Sequence, residues 1–316
     1  MNHIAYSGPG GACRLDDRSV LRAQGADAAT FLHGQLSNDV SRLDASHARL
    51  GAYCSAQGRM LASFIYARQG GETLWLSCQS DVLPAALKRL SMFVMRAQAR
   101  LDDATAELAT LGIVGADALA HLGAQALAPW GKLDLEDGAM LIGLPDAAGV
   151  ARALWLGPVA RAGLVLAGLP ALEPAHWRWL EVASGVAPVV AATSGQFVPQ
   201  MLNYELVGGV DFKKGCYPGQ EVVARSQYLG KLKRRAFLLA GDSVMQPGQD
   251  VVWSGDPGQP AGVVALSAPQ PDGGHLALAE LKIAVTGSGT LHLGSADGPL
   301  LSTRPLPYAL PHEQAT

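Results

Sequence analysis

Residues 60–94 read MLASFIYARQGGETLWLSCQSDVLPAALKRLSMFV, and this stretch decides the fold class. Residues 60–66 and 73–78 are rich in the apolar, aromatic and β-branched side chains that favour strands. The pair Gly70 and Gly71 between them favours a tight turn. The first half of the stretch therefore predicts two neighbouring strands joined by a hairpin.

The second half of the stretch predicts a helix. Ser80 or Asp81 can cap its start, and Pro84 is tolerated in a first turn. One face of the helix is apolar, because residues recur at intervals of four, three and four: Leu83, Leu87, Leu90 and Val94. With a further strand at 97–101, this is an α+β layer, a helix on one face of a largely antiparallel sheet.

The same alternation recurs on both sides of this layer. Upstream, Val20 and Leu21 are strand-like and residues 25–36 favour a short helix. Downstream, the pattern predicts strands at 108–114, 139–142, 152–156 and 164–167, a helix at 116–122, and a helix from Pro174 to Gly185. The chain therefore contains two mixed α+β regions.

The sequence pattern changes after residue 235. Strand-like blocks such as AFLLA, DVVW and AGVVAL are separated by QPGQ, DPGQP and PDGG. Short strands with Gly- and Pro-rich turns are typical of a small barrel or sandwich. We expect a β domain here, with its boundary near residues 236–248.

Composition excludes several classes of protein. The 316 residues are 49% hydrophobic and 16% charged, with a net charge of -3, so the chain has the apolar area that a disordered chain lacks. No apolar run is long enough to span a membrane, and the N-terminus has no signal-peptide pattern. We expect a soluble, cytoplasmic protein with no membrane partner. The four cysteines lie too far apart for a local metal site.

Positive charge is concentrated in residues 213–235. This segment contains seven of the 24 basic residues and one acid, Glu221, which gives a local charge of +6. A solvated face and an anion site for a carboxylate-rich or phosphorylated ligand both fit this pattern. A nucleic-acid surface is favoured less, because Tyr217 and Tyr228 are its only aromatic residues.

Cys216 has the strongest case for reactivity among the cysteines. Gly215 and the pair Pro218-Gly219 favour a turn around it, and positive charge from the preceding lysines favours a thiolate. The alternative is that Cys216 fills a small pocket beneath the turn. Upstream, the amides of Gln196, Gln200 and Asn203 can pair with a heterocycle or fix a loop. Trp177 and Trp179 cannot share one helix face, so one can be core while the other lines a cleft.

Two segments carry a family resemblance. DFKKGCYPGQEVVAR (211–225), with SGQFVPQMLNYELVGGV (194–210) before it, resembles the signature of the YgfZ family of folate-binding proteins, relatives of the glycine-cleavage T-protein. The family's K-G-C-Y-x-G-Q-E pattern is matched in full from Lys214 to Glu221. GADAATFLHGQLSNDV (25–40) is similar to an early family motif and PLPYAL (305–310) to its tail, so the likeness spans the chain.

The resemblance implies an α+β, three-domain T-protein-like ring around a tetrahydrofolate channel. Two ferredoxin-like domains, one of residues 1–50 with 105–235 and one of residues 51–104, would precede a C-terminal β-barrel of residues 236–316. It also implies a role in assembling or repairing iron–sulfur clusters in client enzymes, including radical-SAM enzymes that modify tRNA.

The resemblance also implies site residues. Cys216 is the candidate reactive thiol, which would handle a sulfur, a cluster or a one-carbon adduct, and Lys214 would hold it anionic or bind ligand; no metal site is expected. The candidate folate-binding residues are Trp177, Gln35, Asn38, Gln200, Asn203, Tyr217, Gln220, Glu221 and Arg225.

Several positions depart from the family pattern. The aminomethyltransferase branch has paired aspartates where this chain has Ala62 and Ser63, which disfavours glycine cleavage because no carboxylate would orient or deprotonate the folate amine. Ala183 stands where relatives often have a pterin-pairing glutamate, and the nearby Glu181 points to a different face of the helix. An early family tryptophan is replaced by Arg18.

Three hypotheses follow. The leading one is a folate-dependent accessory factor for iron–sulfur enzymes. The second is a non-classical, folate-dependent aminomethyl- or methyltransferase, which leaves enzymatic activity open. The third is a tRNA-interacting protein that uses the cations of residues 213–235, whose binding would weaken steeply with salt.

Overall fold

The computed structural model describes residues 4–125, 127–228 and 232–311. The first ten strands are β1 Gly11–Arg14, β2 Arg18–Gln24, β3 Ala48–Cys54, β4 Met60–Gln69, β5 Thr73–Gln79, β6 Arg100–Asp103, β7 Leu108–Val114, β8 Lys132–Asp134, β9 Met140–Ala147 and β10 Val150–Pro158. The helices are α1 Ala28–His33, α2 Leu83–Val94, α3 Ala116–His121, α4 Val159–Gly168, α5 Pro174–Ala183 and α6 Gln220–Tyr228.

Two five-stranded antiparallel sheets contain these strands. One has the order β1-β7-β10-β9-β8, and α3 and α4 pack against it. The other has the order β3-β4-β5-β2-β6, and α2 packs against it. The predicted fold class, two α+β layers followed by a barrel, is therefore confirmed for this part of the chain.

The remaining strands close a barrel. They are β11 Arg234–Gly241, β12 Asp250–Trp253, β13 Asp256–Pro269, β14 His275–Lys282, β15 Leu291–Leu293 and β16 Leu300–Arg304. Their order is β11-β14-β13-β12-β15-β16, and β16 pairs back to β11. Helix α5 packs on β13 and β14, which joins the barrel to the α+β part. Within the described ranges, no helix is both long and apolar enough to cross a bilayer.

Helix α2 forms where the periodicity predicts it, with Leu83 and Leu90 buried and a proline in its first turn. The predicted cap is wrong. The N-cap residue is Val82, whose side chain makes no capping bond, and the Asp81 carboxylate instead accepts a hydrogen bond from the backbone N–H of Ala191 at 2.8 Å. Asp81, which the sequence suggests as a cap of its own helix, therefore holds a loop that is distant in the sequence.

The strand expected at 164–167 is also wrong, because these residues lie in α4. The run is apolar, yet Leu164 is exposed and Ala162 is the residue that α4 fully buries. The apolar character of the run therefore does not mean that it forms a buried strand. Short apolar runs do not distinguish a strand from a helix.

Sheet membership bears on the predicted division of the chain, which itself stays a prediction. Strand β2 pairs with β5 along its whole length, and β3 pairs with β4. Residues 18–54 therefore contribute two strands to the second sheet, whereas the predicted boundary assigns residues 1–50 to the first domain. A division that follows the sheets places these strands with residues 60–103.

Candidate functional site

The loop that precedes α6 presents Cys216 to solvent. The loop itself is what the glycine-rich context predicts, and the exposed thiol does not fill a pocket beneath the turn, which was the alternative. Gly219 has a φ of +79° and lies against the turn of residues 55–58, where an added Cβ would approach the carbonyl oxygen of Ser55 to 2.4 Å. Only glycine satisfies both conditions. The Pro218-Gly219 turn therefore fixes the loop against the β3–β4 hairpin and leaves the thiol outside.

Lys214 attaches the same loop to the end of α1. Its side chain is buried, and the ammonium donates to the carbonyl oxygens of His33 at 2.5 Å, Leu36 at 2.9 Å and Gly215 at 3.2 Å. The Nζ atom also lies 4.7 Å from the centroid of the Tyr217 ring, a cation–π distance. Lys214 therefore joins the early motif of residues 25–40 to the cysteine motif.

The buried position of Lys214 disfavours the charged form of its side chain. Burial lowers the pKa of its ammonium to about 8, against the opposing effect of the carboxylates of Asp39 and Asp211. Its recorded hydrogen bonds go to carbonyl oxygens and none goes to Cys216. The structure thus gives Lys214 a loop-fixing position; the predicted roles of holding a thiolate or binding ligand stay predictions.

Asp39 is a buried carboxylate beside this joint that the sequence analysis did not single out. It accepts hydrogen bonds from Ser41 at 2.7 Å and from the backbone N–H of Arg42 at 3.0 Å, and it lies 3.1 Å from Nδ1 of His33. Burial acts to raise its pKa, but these bonds and the Arg42 guanidinium outweigh burial and hold that pKa below its usual range. Its position next to Asn38 in the sequence Ser37-Asn38-Asp39 was the sequence feature that could have identified it.

Five of the predicted ligand-binding residues carry a side-chain amide, and three of these amides donate hydrogen bonds within the protein. The Asn38 amide donates to the carbonyl oxygens of Leu50 and Gly208, that of Gln200 to Val223, and that of Asn203 to Ala236. The buried Oε1 atoms of Gln35 and Gln200 both lack a partner among the described residues. For Asn38 and Asn203 the loop-fixing alternative fits these bonds.

The remaining residues of the cysteine motif are separated by the start of α6. Tyr217 is buried under Lys214, whereas Glu221 and Arg225 lie exposed on α6 and pair with each other at 2.9 Å. Gln220 is the first residue of that helix and is half-buried. The structure thus exposes Cys216, Glu221 and Arg225, half-buries Gln220 and buries Tyr217.

Ion pairs neutralise part of the positive charge of the cationic segment. Arg234 pairs with Glu280 and Arg235 with Glu205, both at 2.7 Å, in addition to the pair on α6. Lys213 and Lys233 are exposed, and Lys231 lies outside the described residues. The pairing leaves less free positive charge than the sequence count of +6 indicates.

In the part of the chain that the structure describes, no three His, Cys, Asp or Glu side chains are arranged to hold a metal ion.

A second place contains two of the positions that depart from the family pattern, Arg18 and Ser63. A small cavity beneath the β4 strand is lined by side chains that include Arg18, Ser63, Arg152, Glu181 and Tyr204. Its remaining wall is mostly apolar, with Phe64, Ile65, Trp130 and Leu144. The space open to the centre of a water molecule is about 30 Å³. Sequence reasoning noted three of these residues separately, and the fold brings them together.

The charges in this cavity are buried. Arg18 forms an ion pair with Glu181, and both side chains are almost fully enclosed. Ser63 accepts a hydrogen bond from the backbone N–H of Val189 at 2.9 Å, so the position of the missing aspartate is used to hold a loop. Ala62 is buried in the core.

Arg152 is the third charge and was missed by the sequence analysis. Its Nε donates to the carbonyl oxygen of Pro145 at 3.0 Å, its Nη1 has no partner among the described residues, and burial lowers its pKa to about 10. The guanidinium carbon lies 5.5 Å from the Trp177 ring, and Trp177 in turn covers Gly112. The sequence feature that could have identified Arg152 is that it is the one charged residue in the apolar strand sequence VARALWLG. Trp177 and Trp179 are both buried.

Comparison with known proteins identifies the family of this chain. No family model matches. The tRNA-modifying protein YgfZ of Klebsiella pneumoniae (strain 342) is 33% identical over 312 residues, which is 94% of this chain and 92% of the relative. The protein of the same name from Cronobacter sakazakii is 30% identical with the same coverage. The chain belongs to the YgfZ family.

One solved structure has the same fold as this YgfZ family member. The glycine cleavage system aminomethyltransferase T from Bartonella henselae superposes with a TM-score of 0.75, covering 94% of this chain and 86% of that one at 16% identity. At this identity the likeness concerns the fold alone. The predicted T-protein-like architecture of this chain is thereby confirmed.

Proposed function

We propose that this chain binds tetrahydrofolate or a folate derivative and acts as an accessory protein for enzymes that modify tRNA. The joint made by Lys214 carries the proposal. It links the early family motif of residues 25–40 and the cysteine motif of residues 211–225 into one unit with Cys216 exposed at its surface. The printed names of the curated relatives, tRNA-modifying protein YgfZ, support the tRNA part.

The cavity provides a test of whether the residues fit a folate ring. Trp130, Phe64 and Ile65 supply apolar walls for a planar ring, and Nη1 of Arg152 is a hydrogen-bond donor without a partner in the described ranges. Both features suit a heterocycle with acceptor atoms. The enclosed space holds a water molecule or two, so a ring enters only after lining side chains move. When bound, the folate would supply one-carbon chemistry.

A finer part of the proposal concerns the client enzymes. We propose that they contain iron–sulfur clusters, as the family resemblance implies, and that the thiol of Cys216 is the reactive group this chain offers them. A solvent-facing cysteine on a loop held by Lys214 and Gly219 is accessible to a partner protein. Buried thiols, as at Cys13, Cys54 and Cys78, are not.

Complementation tests the accessory role. A deletion strain carrying Cys216→Ala is expected to lose the activity of a cluster-containing tRNA-modifying enzyme, whereas Lys213→Ala, at a neighbouring exposed residue, is expected to restore it. Full rescue by Cys216→Ala would remove the thiol from the proposal. Calorimetric titration with tetrahydrofolate tests the ligand: the absence of binding at millimolar concentration would end the folate part.

The fold of an aminomethyltransferase keeps a second candidate, a folate-dependent transferase, open to test. The hydroxyl of Ser63 is engaged by Val189 and Ala62 has no polar group, so neither replaces a catalytic carboxylate. Transfer of a one-carbon unit to an amine acceptor by the purified protein would revive this candidate.

A further inference from the structure

The end of helix α2 exposes large apolar side chains. Met92, Phe93 and Met95 are 68%, 47% and 85% exposed. A cluster of large apolar side chains in water is unfavourable, and on soluble proteins such clusters mark surfaces that bind something. Methionine is common on surfaces that bind other proteins, because its flexible side chain adapts to partners of different shape. The end of α2 is therefore a candidate interface.

An open groove lies beside these side chains, between α2 and residues 191–194, with a volume of about 510 Å³. Its lining is largely apolar and includes Met92 on the helix, Tyr53 on β3 and Leu61 on β4. The cavity that contains Arg152 has only about 30 Å³ of comparable space. Unlike that cavity, the α2 groove accommodates several side chains of a partner without rearrangement.

Positive charge surrounds the α2 groove. Residues 82–101 contain four basic residues and no acidic one, and all four are exposed: Lys88, Arg89, Arg96 and Arg100. Within the described ranges the first three form no ion pair, and the fourth lies 3.8 Å from Asp102. The acid in the groove lining, Asp81, is bonded to the backbone N–H of Ala191. This positive charge therefore favours an acidic partner.

The charges and the lining together select the class of partner. A second copy that presented the same face would set these cations against each other. The phosphates of an RNA suit the cations but not the apolar lining, and one face of the exposed Phe93 ring lies beside the Arg89 guanidinium at 5.9 Å. A protein segment with both apolar side chains and carboxylates suits the two features at once.

The α2 groove and the Cys216 loop share one hairpin. Tyr53 and Leu61 in the groove lining lie on either side of the β3–β4 turn of residues 55–58. Gly219 of the Cys216 loop packs against the same turn. A partner that is bound in the groove is thus held by the hairpin that also supports the exposed thiol.

We propose that the α2 groove is the docking site of a client enzyme, and that it takes from the client a segment in which apolar side chains accompany Asp or Glu. This inference rests on the proposed accessory function and names the surface that brings a client to Cys216. The apolar side chains fill the groove, and the carboxylates pair with Lys88 and Arg89 at its rim. Because these pairs face solvent, the interaction weakens as the salt concentration rises.

Complementation tests the docking role in the full chain. A deletion strain that carries Arg89→Glu together with Met92→Ser is expected to lose most of the activity of a cluster-containing tRNA-modifying enzyme. Both changes lie at exposed positions, so the purified variant should keep the melting temperature and the tetrahydrofolate affinity of the parent. The matched control is Arg304→Glu with Val244→Ser, an exposed cation and an exposed apolar residue of the barrel part, which should restore full activity.

Direct binding tests the chemistry of the partner. The probe is a short, fluorescein-labelled amphipathic peptide with Leu on one helix face and Glu on the other, and binding is measured by fluorescence anisotropy. It should bind the parent about tenfold more tightly than the same peptide with Lys in place of Glu. Arg89→Glu with Met92→Ser should remove this preference, and unfractionated tRNA should not compete with the peptide.

The outcomes separate this inference from the proposed function. If Cys216→Ala abolishes activity but the groove variant restores it fully, the docking site is wrong while the accessory function stands. Equal binding of the two peptides would also overturn the inference, because the cations would then select nothing. Binding of tRNA that is lost in the groove variant would assign the surface to RNA instead. If the unmodified gene does not restore the strain, the accessory function itself fails, and this inference fails with it.

Discussion

At the scale of the residue, Lys214 decides how the cysteine motif is presented. Its three carbonyl acceptors come from the end of α1, from the residues that follow it and from the loop itself. Lys213, its neighbour in sequence, is exposed. Two adjacent lysines that look equivalent in the sequence therefore have different physical roles.

Replacement of Lys214 by Met removes the charged donor but keeps the apolar stem. Hydrogen bonds of a charged group to buried acceptors contribute strongly, so we expect the free energy of unfolding to fall by about 1–3 kcal/mol. Urea denaturation measures this value. Lys213→Met is the matched control and should stay within about 0.5 kcal/mol of the parent; equal effects at both positions would contradict the assignment.

The pH dependence of stability offers a second test of Lys214. Burial lowers its pKa to about 8, below the ordinary value of 10.5, so between these pH values the unfolded chain binds more protons than the folded one. The contribution of this group to the free energy of unfolding therefore rises with pH across that window. Urea denaturation at pH 7 and pH 9.5 should show the parent gaining stability relative to Lys214→Met. A constant difference would contradict the low pKa.

At the scale of the element, the contact between β7 and α5 holds Arg152 in place. Gly112 on β7 leaves room for the Trp177 ring of α5, and an added Cβ would lie 2.3 Å from that ring. Trp177 then packs beside Arg152 of the neighbouring strand β10. One glycine therefore positions an aromatic ring and, through it, the charged wall of the cavity.

The change Gly112→Ala tests this chain of contacts. The methyl group displaces the Trp177 ring, and overpacking of this kind costs about 1–3 kcal/mol of stability. We expect a lower melting temperature, altered tryptophan fluorescence and weaker folate binding. Gly163→Ala is the control: it lies in α4 with nothing within 4 Å of the added Cβ, and it should stabilise the protein by about 0.5–1 kcal/mol. Native-like fluorescence in Gly112→Ala would argue against the contact.

At the scale of the whole molecule, Asn203 lies where the α+β part, the barrel and the tail meet. Its Nδ2 donates to the carbonyl oxygen of Ala236 at 2.9 Å and to the Tyr308 hydroxyl at 3.2 Å, and its Oδ1 accepts from Arg235 at 3.0 Å. Tyr308 donates in turn to the carbonyl oxygen of Gly185, just beyond α5. The amide is buried, and its bonds connect the start of the barrel to the end of the chain.

The substitution Asn203→Gly separates a structural role from a ligand role. Asn203 has a φ of +58°, which glycine adopts without strain, so only the amide is lost. Unsatisfied buried partners predict a loss of about 1–3 kcal/mol in the free energy of unfolding, measured by urea denaturation. Folate affinity of the folded variant should change little. Unchanged stability with lost affinity would support the predicted ligand role instead.

The sequence predicted the layers of the fold because their signals are local. The hairpin of residues 60–78, the apolar face of α2 and the turn-rich barrel all depend on residues close together in the chain. The strand at 164–167 was wrong because a short apolar run does not distinguish α4 from a strand. The loop position of Cys216 was predicted from Gly215, Pro218 and Gly219 for the same local reason, whereas its exposure, against the alternative of a pocket beneath the turn, is shown only by the structure.

The sequence by itself thus determined the element types, the family resemblance and the loop that carries Cys216. The tertiary structure alone decided that Arg18, Ser63, Arg152 and Glu181 meet in one cavity, and that Lys214 bonds to residues about 180 positions earlier. The physical reason is that buried charges take their partners from whichever strands and helices the sheets bring together. Sequence spacing carries no record of those distances, so only the folded chain shows which of its charges are paired and which donor is left free.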